Sequence, residues 1–246
     1  MLASNSNVRP TFEEAGPPDK HDSLEMLFER TPIERAVPGK TIIFEGDRAE
    51  HVFAVYSGYL RICRQLNDGR RVITGFLAAG DIVGVSFKNR YLYSVEAINE
   101  VLFQRQSRNS FERRLQSSPQ LRPFVLSKLC DEVAAAQDQM VLLSCKSAEE
   151  RVCAFLLAQL RRSVAAGGEK SLVNLPMTRL DIADYLGMTI ETVSRTITKL
   201  AGQGILAADR RHEIVVLKKS LLVDRAGKED ANAHEDTDEF PRRYRH

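Results

Sequence analysis

The 246-residue chain has no tryptophan, five histidines and four cysteines. No apolar run approaches the roughly 18 residues that a membrane helix requires, so no membrane partner is expected. The N-terminal MLASNSNVRPTFEEAGPPDK lacks the apolar core of a secretory signal. Cys63, Cys130, Cys145 and Cys153 stand at spacings that match no zinc, haem or iron–sulfur motif, and residues 1–62 contain no cysteine. The economical expectation is a reduced, cytoplasmic protein with no cofactor. Charge of one sign is lacking too: 35 basic against 33 acidic residues leave +2. Hydrophobic residues at 43% nevertheless supply enough apolar mass for real cores.

The near-zero charge hides an uneven distribution. Residues 1–23 carry 2 basic and 4 acidic side chains, and 224–246 carry 5 and 7. Residues 146–223 carry 12 and 8, a basic module followed by an acidic end, which hints at nucleic acid. Composition and pattern together divide the chain into five parts: a flexible tail 1–23, a β-roll 24–118, a long helix 119–146, a DNA-binding module 147–223 and a flexible acidic tail 224–246. The expected class is α+β.

From Val37 to Phe103 short strand-like runs alternate with turn residues: TIIFE, VFAVY, YLRICRQL and RVITGFL, separated by Gly46-Asp47, Ser57-Gly58 and Asn67-Asp68-Gly69. Tyr59 to Arg64 alternates apolar and polar side chains, as half-buried strands do. Regular turns over so short a span indicate a small antiparallel barrel or roll, cupin-like in outline.

Beyond Pro119 the period becomes helical and continues without Gly or Pro from Phe124 to Ser144. Leu121, Val125, Leu129, Val133, Ala136, Met140 and Leu143 form one apolar stripe about 40 Å long. It can pack on the chain's own roll or on the same helix of a second subunit. A small roll cannot cover that length, which favours the homodimer. Ser147, with Glu150 three residues later, then opens a second helix.

The segment LPMTRLDIADYLGMTIETVSRTITKLAGQGILAADRRHEIVVL carries the functional signal. Thr178 can cap one short helix with Asp181 at its third position, and Gly187 can end it. Thr189 can cap a second with Thr192 in the same place. Ile190, Val193, Ile197 and Leu200 supply the buried stripe of that second helix. Two short helices around a glycine turn form a helix-turn-helix. Glu191, Ser194 and Arg195, at i, i+3 and i+4, share one outward face. Arginine can donate two bonds to guanine, glutamate can accept from cytosine, and serine is permissive. Thr178, Arg179, Thr189, Thr192 and Lys199 are placed for backbone phosphates, which position without specifying. ILAAD and EIVVL flank Arg210-Arg211-His212 as a wing with a basic tip.

The order of roll, long helix, DYLGMTIETVSR and wing resembles the CRP/FNR superfamily of bacterial transcription regulators over residues 24–223. MVLLSCKSAEERVCAFLL and MTRLDIADYLGMTIETVSRTITKL look most like the FNR and FixK branches. The resemblance implies a homodimer joined through the long helix, contact with RNA polymerase, and an activator reading a TTGAT-N4-ATCAA palindrome through Glu191, Ser194 and Arg195. Regulation of oxygen-limitation, respiratory or nitrogen-fixation genes follows from the same likeness.

The sensing elements depart from the family. Cyclic-nucleotide binders carry G-E-L and then R-S/T-A; here Gly84-Val85-Ser86 and Tyr93-Ser94-Val95 stand in those places, without the carboxylate or the cation. The cysteine-free residues 1–62 cannot ligate the iron–sulfur cluster of the oxygen-sensing members. Two alternatives stay open: a haem or nitric-oxide sensor using His51 with Met140 or Cys130, and thiol-redox control through Cys145 and Cys153. A cupin-type enzyme needs a cluster of His and carboxylate ligands, and the roll has only His51. Readers and positioners predict different behaviour. Arg195→Ala is expected to cost about 1–3 kcal/mol and relax discrimination at one base pair per half-site. Lys199→Ala is expected to weaken all sequences alike and flatten the salt dependence. Binding titrations on matched and mismatched duplexes across salt concentrations separate the two.

Overall fold

The computed structural model describes residues 20–86, 88–165, 167–210 and 212–227. Residues 33–107 fold into eight antiparallel strands in two sheets. One sheet runs β1 (Ile33–Ala36), β8 (Val101–Ser107), β3 (His51–Ser57), β6 (Ile82–Val83). The other runs β2 (Thr41–Ile43), β7 (Ser94–Ala97), β4 (Leu60–Gln65), β5 (Arg71–Leu77). Ile43, Phe53, Val55, Leu60, Val95 and Phe103 fill the space between them. The Asp68-Gly69 turn joins β4 to β5, and Gly69 takes the positive φ of 83° that an L side chain resists. The expected roll is present.

Two helices close one side of the roll. Leu24, Leu27 and Phe28, in and just after α1 (Lys20–Leu27), pack against Phe111 of α2 (Arg108–Ser117) and against Leu121 and Val125. Ser107 caps α2 by accepting from the Ser110 amide. The N-terminal boundary therefore lies earlier than residue 24: α1 starts at Lys20 and Ser23 is buried. Packing of the three apolar side chains draws the preceding turn into the domain. Residues 1–19 of the expected tail lie outside the described residues.

A 3-10 turn at Pro119–Leu121 leads into α3 (Arg122–Cys145), so the long helix opens three residues later than the proline suggests. α4 (Ala148–Ala165) follows after the reciprocal Ser147–Glu150 cap: the Ser147 amide donates to Glu150 Oε2 (2.7 Å) and the Glu150 amide to Ser147 Oγ (3.4 Å). Then come β9 (Leu172–Asn174), α5 (Arg179–Leu186), α6 (Ile190–Gly202), β10 (Leu206–Arg210), β11 (Glu213–Val216) and α7 (Lys219–Ala226). The wing has three strands in the order β10-β11-β9, one more than ILAAD and EIVVL alone suggest.

The acidic end also needs correction. Residues 224–226 belong to α7: Ala226 is fully buried, its carbonyl accepts from Lys146 Nζ (2.7 Å), and Arg225 Nη1 donates to Glu149 Oε1 (2.5 Å). One buried pair four residues apart, Leu222 and Ala226, seats the helix despite its charged sequence. Residues 228–246 lie outside the described residues.

The C-terminal module does not hang on a free hinge. Cys63, Ile73 and Phe76, on β4 and β5 of the roll, belong to the same buried cluster as Phe155, Leu156, Leu186 and Leu200. One core thus runs through both parts. Leu156→Ala is expected to cost about 2–5 kcal/mol in urea-induced unfolding, since the residue is fully buried. The shared core also predicts that the wild type unfolds in a single transition by near- and far-ultraviolet probes; two separated transitions would contradict it.

Candidate nucleic-acid interface

Local chemistry fixes the helix pair. Thr178 and Asp181 form a full capping box at the start of α5: the Asp181 amide donates to Thr178 Oγ1 (3.1 Å) and the Thr178 amide to Asp181 Oδ2 (3.0 Å). Gly187 ends α5 in the left-handed region at φ 62°, and a Cβ there would stand 3.3 Å from Leu143. Thr189 caps α6 by accepting from the Thr192 amide (3.2 Å). Arg151 of α4 ties the joint together, donating from Nη1 to Leu186 O (3.0 Å), from Nη2 to Leu143 O (2.8 Å) and from Nε to Lys146 O (3.0 Å). The ends of α3 and α5 are therefore held by one side chain.

α6 is strongly two-faced. Val193, Thr196, Ile197 and Leu200 are buried. Ile190, expected among them, is 39% exposed because it sits in the first turn, at the edge of the core. Leu180 of α5 is exposed for the same reason. Glu191, Ser194 and Arg195 all stand in solvent on the opposite face. Thr198 continues that face and was missed, although it follows Ser194 and Arg195 at i+4 and i+3. The Glu191 carboxyl is held below its usual range by its own backbone amide at the positive end of the helix, by the Thr189 hydroxyl and by Arg195. A charged acceptor and a charged donor thus sit side by side on one surface strip.

The expected phosphate contacts divide. Thr178 and Thr189 are exposed, Thr192 and Arg179 half-buried. Burial alone lowers the pKa of the Arg179 guanidinium, and among the described residues no hydrogen bond or ion pair is recorded for it. Lys199 differs: its ammonium pairs with Glu149 at the start of α4, where Arg225 also binds. Its side chain is still 52% exposed, and a surface pair of this kind is weak enough to yield to a phosphate. Arg210 ends β10, and Arg211 lies outside the described residues.

The stripe on the long helix is also shared out. Leu121 precedes α3 and, with Val125, is buried in the crease between α1 and α2; neither is available to a second subunit. Leu129 is half-buried. Val133, Ala136, Met140 and Leu143 remain exposed, with Val133 at 58% and Met140 at 63%. Leu126, at 62%, extends the exposed patch toward the N-terminus. The start of the helix therefore packs on the chain's own roll, while its later turns stand uncovered.

Residues 33–118 match the cyclic nucleotide-binding domain family and residues 150–225 the Crp-like helix-turn-helix domain family. The nitrogen fixation regulation protein FixK of Bradyrhizobium diazoefficiens is 42% identical over 169 residues, covering 69% of this chain and 71% of that protein. The chain belongs to the CRP/FNR family of transcription regulators. The transcriptional activatory protein AadR of Rhodopseudomonas palustris is 39% identical over 193 residues, covering 78% of this chain and 79% of AadR. The solved structure of FixK2 from Bradyrhizobium japonicum superposes with a TM-score of 0.74 at 33% identity, over 79% of this chain and 96% of that one. As a member of this family the chain is a DNA-binding regulator and not an enzyme. Among the described residues no helix is long and apolar enough to cross a membrane.

Ile82 and Val85 of the roll close against Val125, Lys128, Leu129 and Glu132 of α3, leaving a cavity of about 10 Å³, the room of a single water at most. Burial, with Glu132 nearby, pushes the Tyr93 hydroxyl up to about 12. A larger cleft of about 870 Å³ has His51, Arg48, Arg90, Arg108 and Glu112 among its walls, but neither Met140 nor Cys130. The expected haem ligands Met140 and Cys130 thus do not line the cleft that holds His51. Among the described residues no three His, Cys, Asp or Glu side chains converge on a metal-holding point.

The cysteines sort by exposure. Cys130 and Cys145 are exposed, Cys63 and Cys153 buried. Burial pushes the Cys63 thiol up to about 11 and that of Cys153 to about 12. Cys153 is thus removed from the redox pair expected with Cys145, because the thiolate is the reactive form. At pH 8 a disulfide reagent is expected to label two thiols rapidly and two only after denaturation. Rapid labelling of three or four in the folded protein would contradict this division.

Proposed function

We propose that this regulator acts as a cytoplasmic homodimer, paired through the exposed half of α3, that binds TTGAT-N4-ATCAA palindromes and activates transcription through RNA polymerase. Glu191, Ser194 and Arg195 read base edges in the major groove. Thr178, Arg179, Thr189, Thr192, Lys199, Arg210 and Arg211 meet phosphates. The observation that carries this reading is the two-faced α6: a polar, oppositely charged strip stands in solvent on a helix whose other side is rooted in the core. A dimer axis along α3 supplies two such strips, to be set about one helical turn, roughly 34 Å, apart on the duplex.

The name of FixK, a nitrogen fixation regulation protein, supports a place in nitrogen-fixation gene control, and that of AadR, a transcriptional activatory protein, supports activation. The sequence Gly84-Val85-Ser86 and Tyr93-Ser94-Val95, without the carboxylate and cation of nucleotide binders, and the cysteine-free residues 1–62 support regulation without cyclic nucleotide or iron–sulfur cluster. At about 0.15 M salt the purified protein is expected to bind a TTGAT-N4-ATCAA duplex at least 10³-fold more tightly than a scrambled one. The expected complex holds two chains per duplex by analytical ultracentrifugation. Equal binding to both duplexes, or one chain per specific complex, would overturn the proposal.

A further inference from the structure

The outer face of the β4–β5 strand pair meets α5 through charges as well as through apolar contact. Arg61 of β4 is anchored within its own sheet, its Nη2 standing 2.7 Å from Glu96 Oε2 on β7. From there its Nη1 donates to Asp181 Oδ1 (3.0 Å). Arg71 of β5 donates from Nη2 to the same oxygen (2.9 Å) and to Asp184 Oδ2 (2.8 Å), with Nε reaching Asp184 Oδ2 at 3.1 Å. The Asp181 side chain is only 2% exposed. Its second oxygen takes the Thr178 amide (3.0 Å) and hydroxyl (2.8 Å). Each oxygen of one buried carboxylate thus has two donors, one pair from the start of α5 and the other from the roll.

Beside this network Phe76 of β5, Phe155 of α4 and Tyr185 of α5 form a triangle with ring centroids 5.2–6.2 Å apart. Apolar contact holds two surfaces together but tolerates sliding and rolling. Charge-assisted hydrogen bonds are directional. Here two arginines on neighbouring strands grip two carboxylates three residues apart on one helix, which fixes both the axial position of α5 and its rotation. α6 follows α5, because Gly187 makes the turn between them and Arg151 holds the end of α5 against the end of α3.

We propose that Arg61 and Arg71 are positioning residues for DNA reading: they lock α5, and through it the reading face of α6, in one pose against the roll. The spacing between two recognition helices is then set by the roll, without a ligand bound there. The pose itself stands on the contacts above; its consequence for spacing rests on the dimeric, palindrome-reading function proposed for the chain.

Two measurements on the full chain test this. In the first, spin labels at Asn109→Cys on α2 and Gln203→Cys after α6 are placed in a chain whose exposed cysteines carry Cys130→Ser and Cys145→Ser. The labelled chain is diluted with unlabelled chain so that distances within one chain are read. The distribution is expected to be a single narrow peak, and to broaden or split with Arg71→Ala, with Arg61→Ala, or with the milder Asp184→Asn should the arginine variants not fold. In the second, duplexes carry TTGAT half-sites separated by three, four, five or six base pairs. The wild type is expected to prefer four by at least tenfold, and Arg71→Ala to lose at least two-thirds of that preference. Arg71→Lys, which keeps a cation facing both Asp181 and Asp184, is expected to retain more of it than Arg71→Ala at matched stability, which a mere loss of stability would not produce. A narrow peak and an unchanged spacing profile in the folded variants overturn the proposal. A wild type without spacing preference, whose variants nonetheless broaden, instead overturns the palindrome reading and leaves the pose lock standing.

Discussion

The carboxylate of Asp181 has to serve two structures at once. It completes the capping box that starts α5, and it is the buried anchor that the roll grips through Arg61 and Arg71. A carboxylate so deeply covered is tolerable only when every lone pair is engaged. The helix-turn-helix and the roll are therefore not separable: the local order of α5 and its docking depend on the same four donors. This accords with the single core that runs from Ile73 and Phe76 of the roll into Leu186 and Leu200. The pose of α6 follows from that joint, and α6 is where sequence is to be read.

The long helix resolves a related problem of shared surface. Its beginning closes the roll on itself, with Val125 buried beside Phe28 and Phe111. Its later turns leave Val133, Met140 and Leu143 uncovered. Between roll and helix, Ile82 and Val85 stand against Val125, Lys128, Leu129 and Glu132 around a cavity of about 10 Å³. The charged contacts of Arg61 and Arg71 on α5 lie on the other side of the roll's strands and join it to the C-terminal module.

The caps of α4, α5 and α6 were legible from sequence because each depends on residues three apart: Ser147 with Glu150, Thr178 with Asp181, Thr189 with Thr192. The outward placement of Glu191, Ser194 and Arg195 was legible because helical period alone sets it. Tertiary contacts were not. Nothing local marks Arg61 and Arg71 as partners of residues more than a hundred positions away. Nothing local places Glu149 beside Lys199, and Leu121 reads as a dimer contact in sequence although the packing of α1 buries it. β9 is only three residues long, and α7 is seated mainly by Leu222 and Ala226, so both were lost in polar surroundings. Cys153 looked redox-competent from its spacing to Cys145, whereas its burial decides its chemistry.

The central claim is that α6, held in one pose in each of two subunits, reads DNA. An unbiased selection from a library of random duplexes, with the bound fraction sequenced, tests it most directly. The account predicts enrichment of two inverted TTGAT half-sites with a fixed gap of four base pairs, from protein prepared without added ligand. A single unrepeated motif, half-sites at indifferent spacing, or no enrichment at all would contradict it.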